Sequence, residues 1–499
     1  MGSKRFFFIH CYKEYDKSHF KLRQGNGECG LQKVQINTNA VPGRGPAAGI
    51  PHGNGTAEVE DLNLTRGHVQ SAHGFEFLRR GHTAMGKAAS IFMIILLVSA
   101  VWLLRYTYSD SNANFFTLLL GIPFAYLLMK TVLYVLYRPN QAQQTKGYTL
   151  SVVVPFYNEP GEGLIRCVDS LMGQTYPLKE IIFVDDGSKS QESYRLVLSH
   201  VNRMAGTRDV RFIVHRFKEN RGKKQALVWG FQEATGDVLL LFDSDSSLAP
   251  DAAGHMMAEF DDDRVYSVTG YAGPSNSKEN FLTQMQDYTY VSSFEIGRCA
   301  QSRLHSVVVC SGAISMHRRT FVVEHLEEFL DAQVLGIPCC AGDDRLLTNL
   351  AQKYGGWTRY QNAAVAATEV PATLRKYIKQ QVRWTKSAYL YTLKALFGYG
   401  WKRPVFLFWS VAETYLWLIA LILQIVHWMA RPAHITLRGS ALAVVYYVLL
   451  CYLGRLPYLH KSVWYFLISP VYEMVHFVLL QYIRFKAVVT IRSIGWNTR

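Results

Sequence analysis

The chain has 499 residues, of which 49% are hydrophobic and only 18% are charged, and its formal net charge is +15. The charged share lies below the roughly 25% typical of soluble domains, and these averages exclude a mostly disordered chain and a coiled coil. We therefore expect a soluble part joined to a very apolar part, with anionic partners such as a phosphate-bearing substrate, anionic lipid or nucleic acid. Eight scattered cysteines without paired metal spacing predict a reduced chain that faces the cytosol.

The N-terminal part of the chain changes from polar to apolar near Met85. Residues 1–84 are polar and Gly-rich and contain no signal peptide with a cleavage site, which predicts a disordered extension or a start codon assigned too early. Two apolar runs follow, Ala88–Leu104 and Phe115–Tyr137, separated by a short polar hairpin. Since a hydrocarbon core is ~30 Å thick, residues 85–140 predict a transmembrane hairpin.

The C-terminal part contains further apolar runs. Val405–Met429 and Ser440–Leu453 predict two more spans within residues 404–461. A last run, Val463–Ile483, is weaker, because it carries side chains that are costly at the centre of a bilayer. These side chains are Glu473, His476 and Gln481. We therefore interpret residues 462–499 as an interfacial or partly re-entrant segment followed by a tail.

The middle of the chain, residues 141–370, alternates strand patterns with helical patterns. Helical stretches such as Gly163–Met172 and Lys223–Ala234 separate short apolar runs that predict buried parallel strands. These runs are Leu150–Pro155, Ile181–Val184, Val210–His215 and Val238–Phe242. The alternation predicts an α/β domain with a doubly wound, mostly parallel sheet. Its flanks are rich in Lys and Arg, whereas the loop after the first span is not, so we expect the domain to be cytoplasmic.

Acidic clusters follow two of the predicted strands, at the sheet edge where such folds bind ligands. Asp243 and Asp245 flank a serine directly after a strand. Two carboxylates at this spacing can share Mg²⁺ or Mn²⁺, which prefer oxygen ligands. A polar turn is the alternative, and it is also the alternative for Asp185-Asp186-Gly187, which follows the predicted strand Ile181–Val184.

Three further motifs contain residues that could bind a substrate or act in catalysis. RGKK at 221–224 precedes a helical stretch and could hold phosphate, although a solvated basic turn gives the same pattern. GDDR at 342–345 offers a general base or, alternatively, a helix-capping cluster. QQVRW at 380–384 lies in an amphipathic basic segment, residues 371–403. Its Arg could clamp a diphosphate and its Trp could stack on a sugar, whereas the alternative is an interfacial helix with lipid-facing aromatics.

The order of these motifs, bracketed by apolar runs, resembles the processive family-2 glycosyltransferases, which include cellulose, chitin and hyaluronan synthases. The resemblance covers about Met85 to Arg499. The segments most similar to the streptococcal-type hyaluronan synthases are 152–188, 307–319, 335–349 and 377–387. Residues 494–499 are similar to that family's Trp-Gly-Thr-Arg gating loop. The chain departs from the family pattern at Ala313, where Pro is usual, and at Asn497, where Gly is usual.

The resemblance implies a GT-A fold embedded between transmembrane and interfacial helices, with inverting transfer from UDP-sugars. By that analogy Asp344 deprotonates the acceptor, as a carboxylate with an ordinary pKa near ~4 can do at neutral pH. Arg383 and a Mg²⁺ or Mn²⁺ ion stabilise departing UDP, and Trp384 lies under the acceptor sugar. The implied metal ligands are Asp243 and Asp245. The implied substrate-binding residues are Tyr157, Glu159, Asp186, Lys223, Asp243, Cys310, Ser311, Asp343, Arg345, Gln380, Trp496 and Arg499.

The resemblance further implies a multi-pass plasma-membrane enzyme with a cytoplasmic catalytic domain. It would polymerise UDP-GlcA and UDP-GlcNAc into hyaluronan and export the growing chain, as a monomer in contact with lipid and without nucleic acid. A chitin-oligosaccharide synthase that uses UDP-GlcNAc alone is the alternative within the enzyme class. A non-catalytic membrane polysaccharide-binding protein or a transporter is the alternative outside that class. Supplying UDP-GlcNAc with and without UDP-GlcA separates the two enzymes.

Overall fold

The computed structural model describes residues 33–36, 84–107, 113–204, 206–334, 336–338, 341–430 and 437–492. The chain divides into two compact units, Met1–Lys33 and Val34–Arg499, and nearly all of the described residues belong to the second. Most of the predicted N-terminal extension lies outside the described residues. So does the predicted gating loop, with Trp496, Asn497 and Arg499.

A mixed β-sheet forms the centre of the α/β domain. Within the described ranges the sheet has nine strands in the order β1-β4-β3-β2-β5-β8-β7-β11-β6, and β9 and β10 pair separately. The strands are β1 Lys33–Ile36, β2 Leu150–Phe156, β3 Leu178–Asp185, β4 Arg211–Arg216, β5 Val238–Leu241, β6 Ser246–Leu248, β7 Val265–Pro274, β8 Ser315–Arg318, β9 Gln333–Val334, β10 Ile337–Pro338 and β11 Trp357–Thr368.

The strand directions confirm the predicted fold class. β4, β3, β2 and β5 are parallel neighbours, and β7 and β11 form another parallel pair. β8 runs antiparallel between β5 and β7, and β6 is antiparallel to β11. All residues of β2 and β5 are buried, because the sheet is covered on both faces. Val152 and Val154 pack into one apolar cluster and Val153 into the opposite one, as the two-residue period of a strand requires.

Helices cover the sheet and form the apolar part of the molecule. They are α1 Ala84–Thr107, α2 Ala113–Leu136, α3 Gly161–Met172, α4 Glu192–Met204, α5 Lys223–Glu233, α6 Ala252–Met257, α7 Phe281–Val291, α8 Cys299–Arg303, α9 Arg319–Glu324, α10 Leu326–Leu330, α11 Asp343–Lys353, α12 Leu374–Leu396, α13 Pro404–Ala430, α14 Leu437–Leu453, α15 Tyr458–Lys461 and α16 Val463–Val489. A π-helical turn, Ser292–Arg298, joins α7 to α8, and 3₁₀ turns occupy Ala258–Asp261 and Tyr399–Lys402.

The predicted apolar runs coincide with α1, α2, α13, α14 and α16. Among the described residues, α16 is the helix that is long and apolar enough, by length and composition, to cross a membrane. It continues without a break for 27 residues over the run that we interpreted as interfacial. The number of spans and the interfacial placement of α12 and α16 stay predictions.

A buried ion pair joins the π-helical turn Ser292–Arg298 to α15. The Nζ atom of Lys461, in α15, lies 2.7 Å from Oε1 of Glu295 in the π-helical turn, and both side chains are almost fully buried. The same Nζ donates to the hydroxyl of Tyr271, on β7, at 3.3 Å. Removing one partner of such a pair leaves an uncompensated buried charge, so the contact holds these elements in one arrangement.

Candidate active site

The carboxyl ends of β2, β3 and β5 meet at one edge of the sheet, where a cavity of about 1790 Å³ opens. Tyr157 follows β2, Asp186 follows β3, and Asp243 and Asp245 follow β5, and all four line this cavity. Parallel strands place their carboxyl ends together, which is why acidic motifs distant in sequence share one site. The structure therefore brings together the two acidic clusters that the sequence analysis identified.

Asp186 is held by the loop that precedes α5. Its carboxylate accepts hydrogen bonds from the backbone N–H groups of Arg221, at 2.8 Å, and Gly222, at 2.9 Å, and from Nδ2 of Asn220, at 2.9 Å. Burial raises the pKa of Asp186 to about 6, and the two backbone donors only partly offset that shift. The RGKK motif thus serves first to position Asp186.

The glycine after Asp186 has a steric role. Gly187 adopts a left-handed φ of +68°, and a Cβ atom there would lie 2.3 Å from the backbone carbon of Glu219. Any other residue would collide with the loop that holds Asp186. The Asp-Asp-Gly sequence is therefore a turn and a site element together, so its two readings are not exclusive.

Lys223 links the RGKK motif to two acidic motifs, Asp-x-Asp and Gly-Asp-Asp. Its Nζ donates to Oδ1 of Asp243 at 2.6 Å and lies 3.6 Å from Oδ2 of Asp343. Although burial acts in the opposite direction, these carboxylates raise the pKa of Lys223 above its ordinary value, so the ammonium stays charged. The site thus holds a fixed positive charge beside the Asp-x-Asp carboxylates.

Asp243 and Asp245 suit a hard divalent cation, because both present carboxylate oxygens to the cavity. Within the described ranges, no group of three or more His, Cys, Asp and Glu side chains is arranged to hold a metal. A cation here would take two protein carboxylates and fill its remaining positions with water and phosphate oxygens, as Mg²⁺ typically does.

Asp344 occupies the first turn of α11 and faces the same cavity. Its carboxylate accepts hydrogen bonds from the backbone N–H of Gly312, at 3.3 Å, and of Arg345, at 2.7 Å. Burial and the neighbouring carboxylate of Asp343 raise the pKa of Asp344. Our expectation of a base with an ordinary pKa needs this correction, because the site tunes Asp344 towards stronger proton acceptance.

The Cys310-Ser311 pair is divided between core and cavity. Ser311 lines the cavity, as do Gly312 and Ala313, the residue that departs from the family pattern. Cys310 lies among buried residues of the core, and its backbone N–H donates to Oγ1 of Thr348 at 2.8 Å. Burial raises the pKa of its thiol to about 12. Cys310 is absent from the cavity wall, so the sequence motif overstated its access to a substrate.

The QxxRW motif lies on α12, and the helix turns one face of the motif towards the cavity. Gln380, Arg383 and Trp384 are spaced i, i+3 and i+4, and all three line the cavity. The Trp384 side chain is 42% exposed, which leaves its ring face accessible to a sugar. The predicted residues that also line the wall are Glu159, Asp343 and Arg345.

The cavity wall also contains charged residues that the sequence analysis did not identify. Arg298 reaches it from the π-helical turn, and its Nη1 atom is buried without a hydrogen-bond partner among the described residues. Lys130 on α2 and Glu413 on α13 form an ion pair of 2.7 Å at the wall. The only sequence signal for this pair was a charged residue within each apolar run, which in such runs commonly faces a polar interior.

The cavity continues between α14 and α16, past Tyr446 and Phe477. Tyr415 on α13 does not line the cavity; its hydroxyl donates to the backbone oxygen of Tyr389 at 3.3 Å, and its ring stacks on that of Tyr389. Among the described side chains, the aromatic wall at this depth includes Tyr446, Tyr447 and Phe477.

The comparisons with known proteins find similarity to glycosyltransferases. Residues 151–326 match the model of the glycosyl transferase family 2. Over 415 residues the chain is 34% identical to a hyaluronan synthase of Streptococcus pyogenes, which covers 82% of this chain and 95% of that protein. It is 36% identical to an N-acetylglucosaminyltransferase of Rhizobium meliloti over 248 residues, 50% of this chain and 57% of that one.

A solved structure shares the fold. It is a mannosyltransferase of Pyrobaculum calidifontis in complex with GDP-Man and Mn²⁺, which superimposes with a TM-score of 0.52 at 20% identity. The match covers 83% of this chain and all of that one. At this level of identity the likeness concerns the fold alone, and it agrees with the predicted GT-A architecture.

Proposed function

Because the chain belongs to the family of the streptococcal hyaluronan synthases and is thus a hexosyltransferase, we propose that it polymerises UDP-GlcA and UDP-GlcNAc into hyaluronan. The observation that carries the proposal is one cavity lined by the Asp-x-Asp carboxylates, Asp344 and the QxxRW motif. The similarity to the hyaluronan synthase extends over 95% of that protein, and so it includes regions beyond the family 2 domain.

In the proposed reaction Asp344 accepts the proton of the acceptor hydroxyl. The hydroxyl oxygen forms a bond to the anomeric carbon of the donor sugar while the bond from that carbon to the UDP oxygen breaks. The electron pair leaves with UDP, and Lys223 and Arg383 stabilise the negative charge that develops on the diphosphate. Trp384 supports the acceptor ring, and attack from the face opposite to UDP inverts the anomeric configuration.

A divalent cation completes this proposal. Asp243 and Asp245 would hold Mg²⁺ or Mn²⁺, which supplies positive charge to the diphosphate. We expect Asp245→Asn to abolish polymer synthesis, and EDTA to do the same to the wild-type protein until Mg²⁺ or Mn²⁺ is restored. Incorporation of labelled sugar measures both effects. Full activity in EDTA would remove the metal from the mechanism.

The proposal places the enzyme in the plasma membrane, as a multi-pass monomer in contact with lipid and with its catalytic domain in the cytoplasm. The continuation of the cavity between α14 and α16 supports export, because a chain made at Asp344 could pass along it. Nucleic acid has no place in this reaction, and the net charge of +15 is consistent with phosphate-bearing donors and anionic lipid.

A chitin-oligosaccharide synthase is the second candidate, favoured by the similarity to the rhizobial N-acetylglucosaminyltransferase. In the test, membranes that contain the protein receive UDP-GlcNAc alone, and then UDP-GlcNAc together with UDP-GlcA. We expect polymer only when both donors are present, and we expect hyaluronidase to digest it. Membranes with Asp344→Asn are the control for background synthesis. A chitinase-sensitive product from UDP-GlcNAc alone would replace the proposal with the second candidate.

A further inference from the structure

One face of α16 is polar where it meets the cavity. Five of its residues line the cavity at spacings of three, one, three and four, which places them along one side of the helix. They are Glu473, His476, Phe477, Leu480 and Arg484. The large exposed residues elsewhere on α16 are apolar, for example Val471, Met474, Val478 and Phe485. Two of the three polar residues that weakened this run in the sequence, Glu473 and His476, therefore lie on the cavity side.

Several buried polar atoms on this part of the wall have no hydrogen-bond partner among the described residues. They are Nε of Arg455, Nδ1 of His476 and Nη1 of Arg484. Arg455 and His476 are only 5% and 6% exposed, so bulk water does not surround them. Since buried polar atoms in proteins are nearly always paired, three such atoms on one wall indicate a site that receives a polar ligand.

Arg455 already has one anionic partner. Its Nη2 atom forms an ion pair with the carboxylate of Glu473, and its Nη1 donates to the backbone oxygen of Gly454 at 3.0 Å. The Glu473 side chain is 28% exposed, against 6% for Arg455, so the carboxylate has the freer access to the cavity. Arg455 is therefore held by an internal carboxylate at the cavity wall.

We propose that Arg455, His476 and Arg484 form a binding site for the carboxylate of an anionic sugar chain. When no chain is present, Glu473 forms an ion pair with Arg455 in its place. The proposal rests on the proposed function, because hyaluronan carries a carboxylate on each GlcA unit. Guanidinium groups bind carboxylates through paired, charge-assisted hydrogen bonds. A chitin chain has no carboxylate, so it would neither displace Glu473 nor engage Arg484.

The proposal predicts opposite effects for two substitutions on the same helix face. Arg484→Gln removes a cation that holds the product, so hyaluronan oligosaccharides should bind ~10-fold more weakly and chains should be released shorter. Glu473→Gln removes the internal competitor, so the oligosaccharides should bind more tightly and chains should be longer. The initial rate of sugar incorporation should stay within ~2-fold of wild type in both variants, since neither side chain belongs to the transfer site.

The measurements use the full-length protein in nanodiscs of neutral lipid. Calorimetry gives the binding of hyaluronan oligosaccharides, with chitin oligosaccharides as the uncharged comparison, and gel electrophoresis gives product length. Lys486→Gln is the matched control, because it removes a cation from the exposed side of α16, which does not line the cavity. Arg484→Lys keeps the charge and should restore part of the binding, which separates a charge effect from a folding defect.

Four outcomes would overturn this inference. Arg484→Gln could behave like Lys486→Gln, Glu473→Gln and Arg484→Gln could change chain length in the same direction, or both oligosaccharides could bind equally well. An effect of Arg484→Gln that appears only when phosphatidylglycerol is added would assign the site to lipid phosphate instead. The donor test with the wild-type enzyme is independent of these variants, so failure of the proposed function is recognised separately.

Discussion

The two ends of the cavity differ in how their charged groups are satisfied. Near the carboxyl ends of β3 and β5, which we propose as the donor end, Lys223 donates to Asp243 and Asp186 accepts several N–H groups. At the end near α16, Arg484 and His476 keep buried nitrogen atoms without a partner among the described residues. A reaction centre benefits from groups that are fixed in advance, whereas a path must bind a moving chain and let it go.

The comparison predicts that substitutions at the donor end affect chemistry and that substitutions at the other end affect chain length. The largest effect is expected for Asp344→Asn, because the amide cannot accept the acceptor proton, while its side-chain oxygen can still accept from Gly312. Sugar incorporation should fall ~10²–10⁴-fold. UDP-sugar binding should stay near the wild-type value, which is the control for folding. A fall of less than ~10-fold would mean that another group is the base.

The next effect concerns the tail, which lies outside the described residues. By resemblance to the gating loop, Trp496 packs over the nucleotide and Arg499 approaches its phosphates. Trp496→Ala should leave expression and membrane insertion near normal and lower polymer synthesis at least ~10-fold, equivalent to ~1.4 kcal/mol of transition-state stabilisation. Asn497→Gly, which restores the usual family residue, should be tolerated. Wild-type synthesis by Trp496→Ala would show that the tail has no gating role.

The smallest of these effects is a pH dependence of donor binding. The pKa of Asp186 is about 6, so its carboxylate becomes protonated as the pH falls through that value and accepts hydrogen bonds less well. The KM for the UDP-sugars should therefore rise several-fold from pH 7 to about pH 5.5, and Asp186→Asn should remove this rise. A KM that is flat across this range in the wild-type enzyme would contradict the assignment of Asp186 to donor binding.

Lowering the pH should weaken donor binding through Asp186 but should not lower the stability of the fold through the same group, which provides a control. The pKa of Asp186 is raised above the ~3.9 of an unfolded aspartate, so its contribution to stability is present at low pH and is lost as the pH rises from about 4 to about 6. Thermal unfolding should show no loss of stability from Asp186 at pH 5.5. Weaker donor binding at that pH would then reflect protonation in the site.

The sequence predicted the parts of the catalytic domain whose signal is local. Buried parallel strands are continuous apolar runs, so Leu150–Pro155 predicted β2 to within one residue. Motifs that directly follow such strands share one edge of the sheet, so the grouping of Asp186 with Asp243 and Asp245 followed from the fold class alone. The i, i+3, i+4 spacing of the QxxRW motif likewise determined that its key residues share one face of α12.

Only the tertiary structure decided what depends on partners far away in the chain. Lys130 and Glu413 are 283 residues apart, and no local pattern indicates that they pair at the cavity wall. Burial raises the pKa of Asp344. The packing of the fold also places Cys310 in the core. Glu473 and His476 of α16 would be costly against lipid but line a polar cavity. Sequence periodicity cannot distinguish these surroundings, because they are created by neighbouring helices.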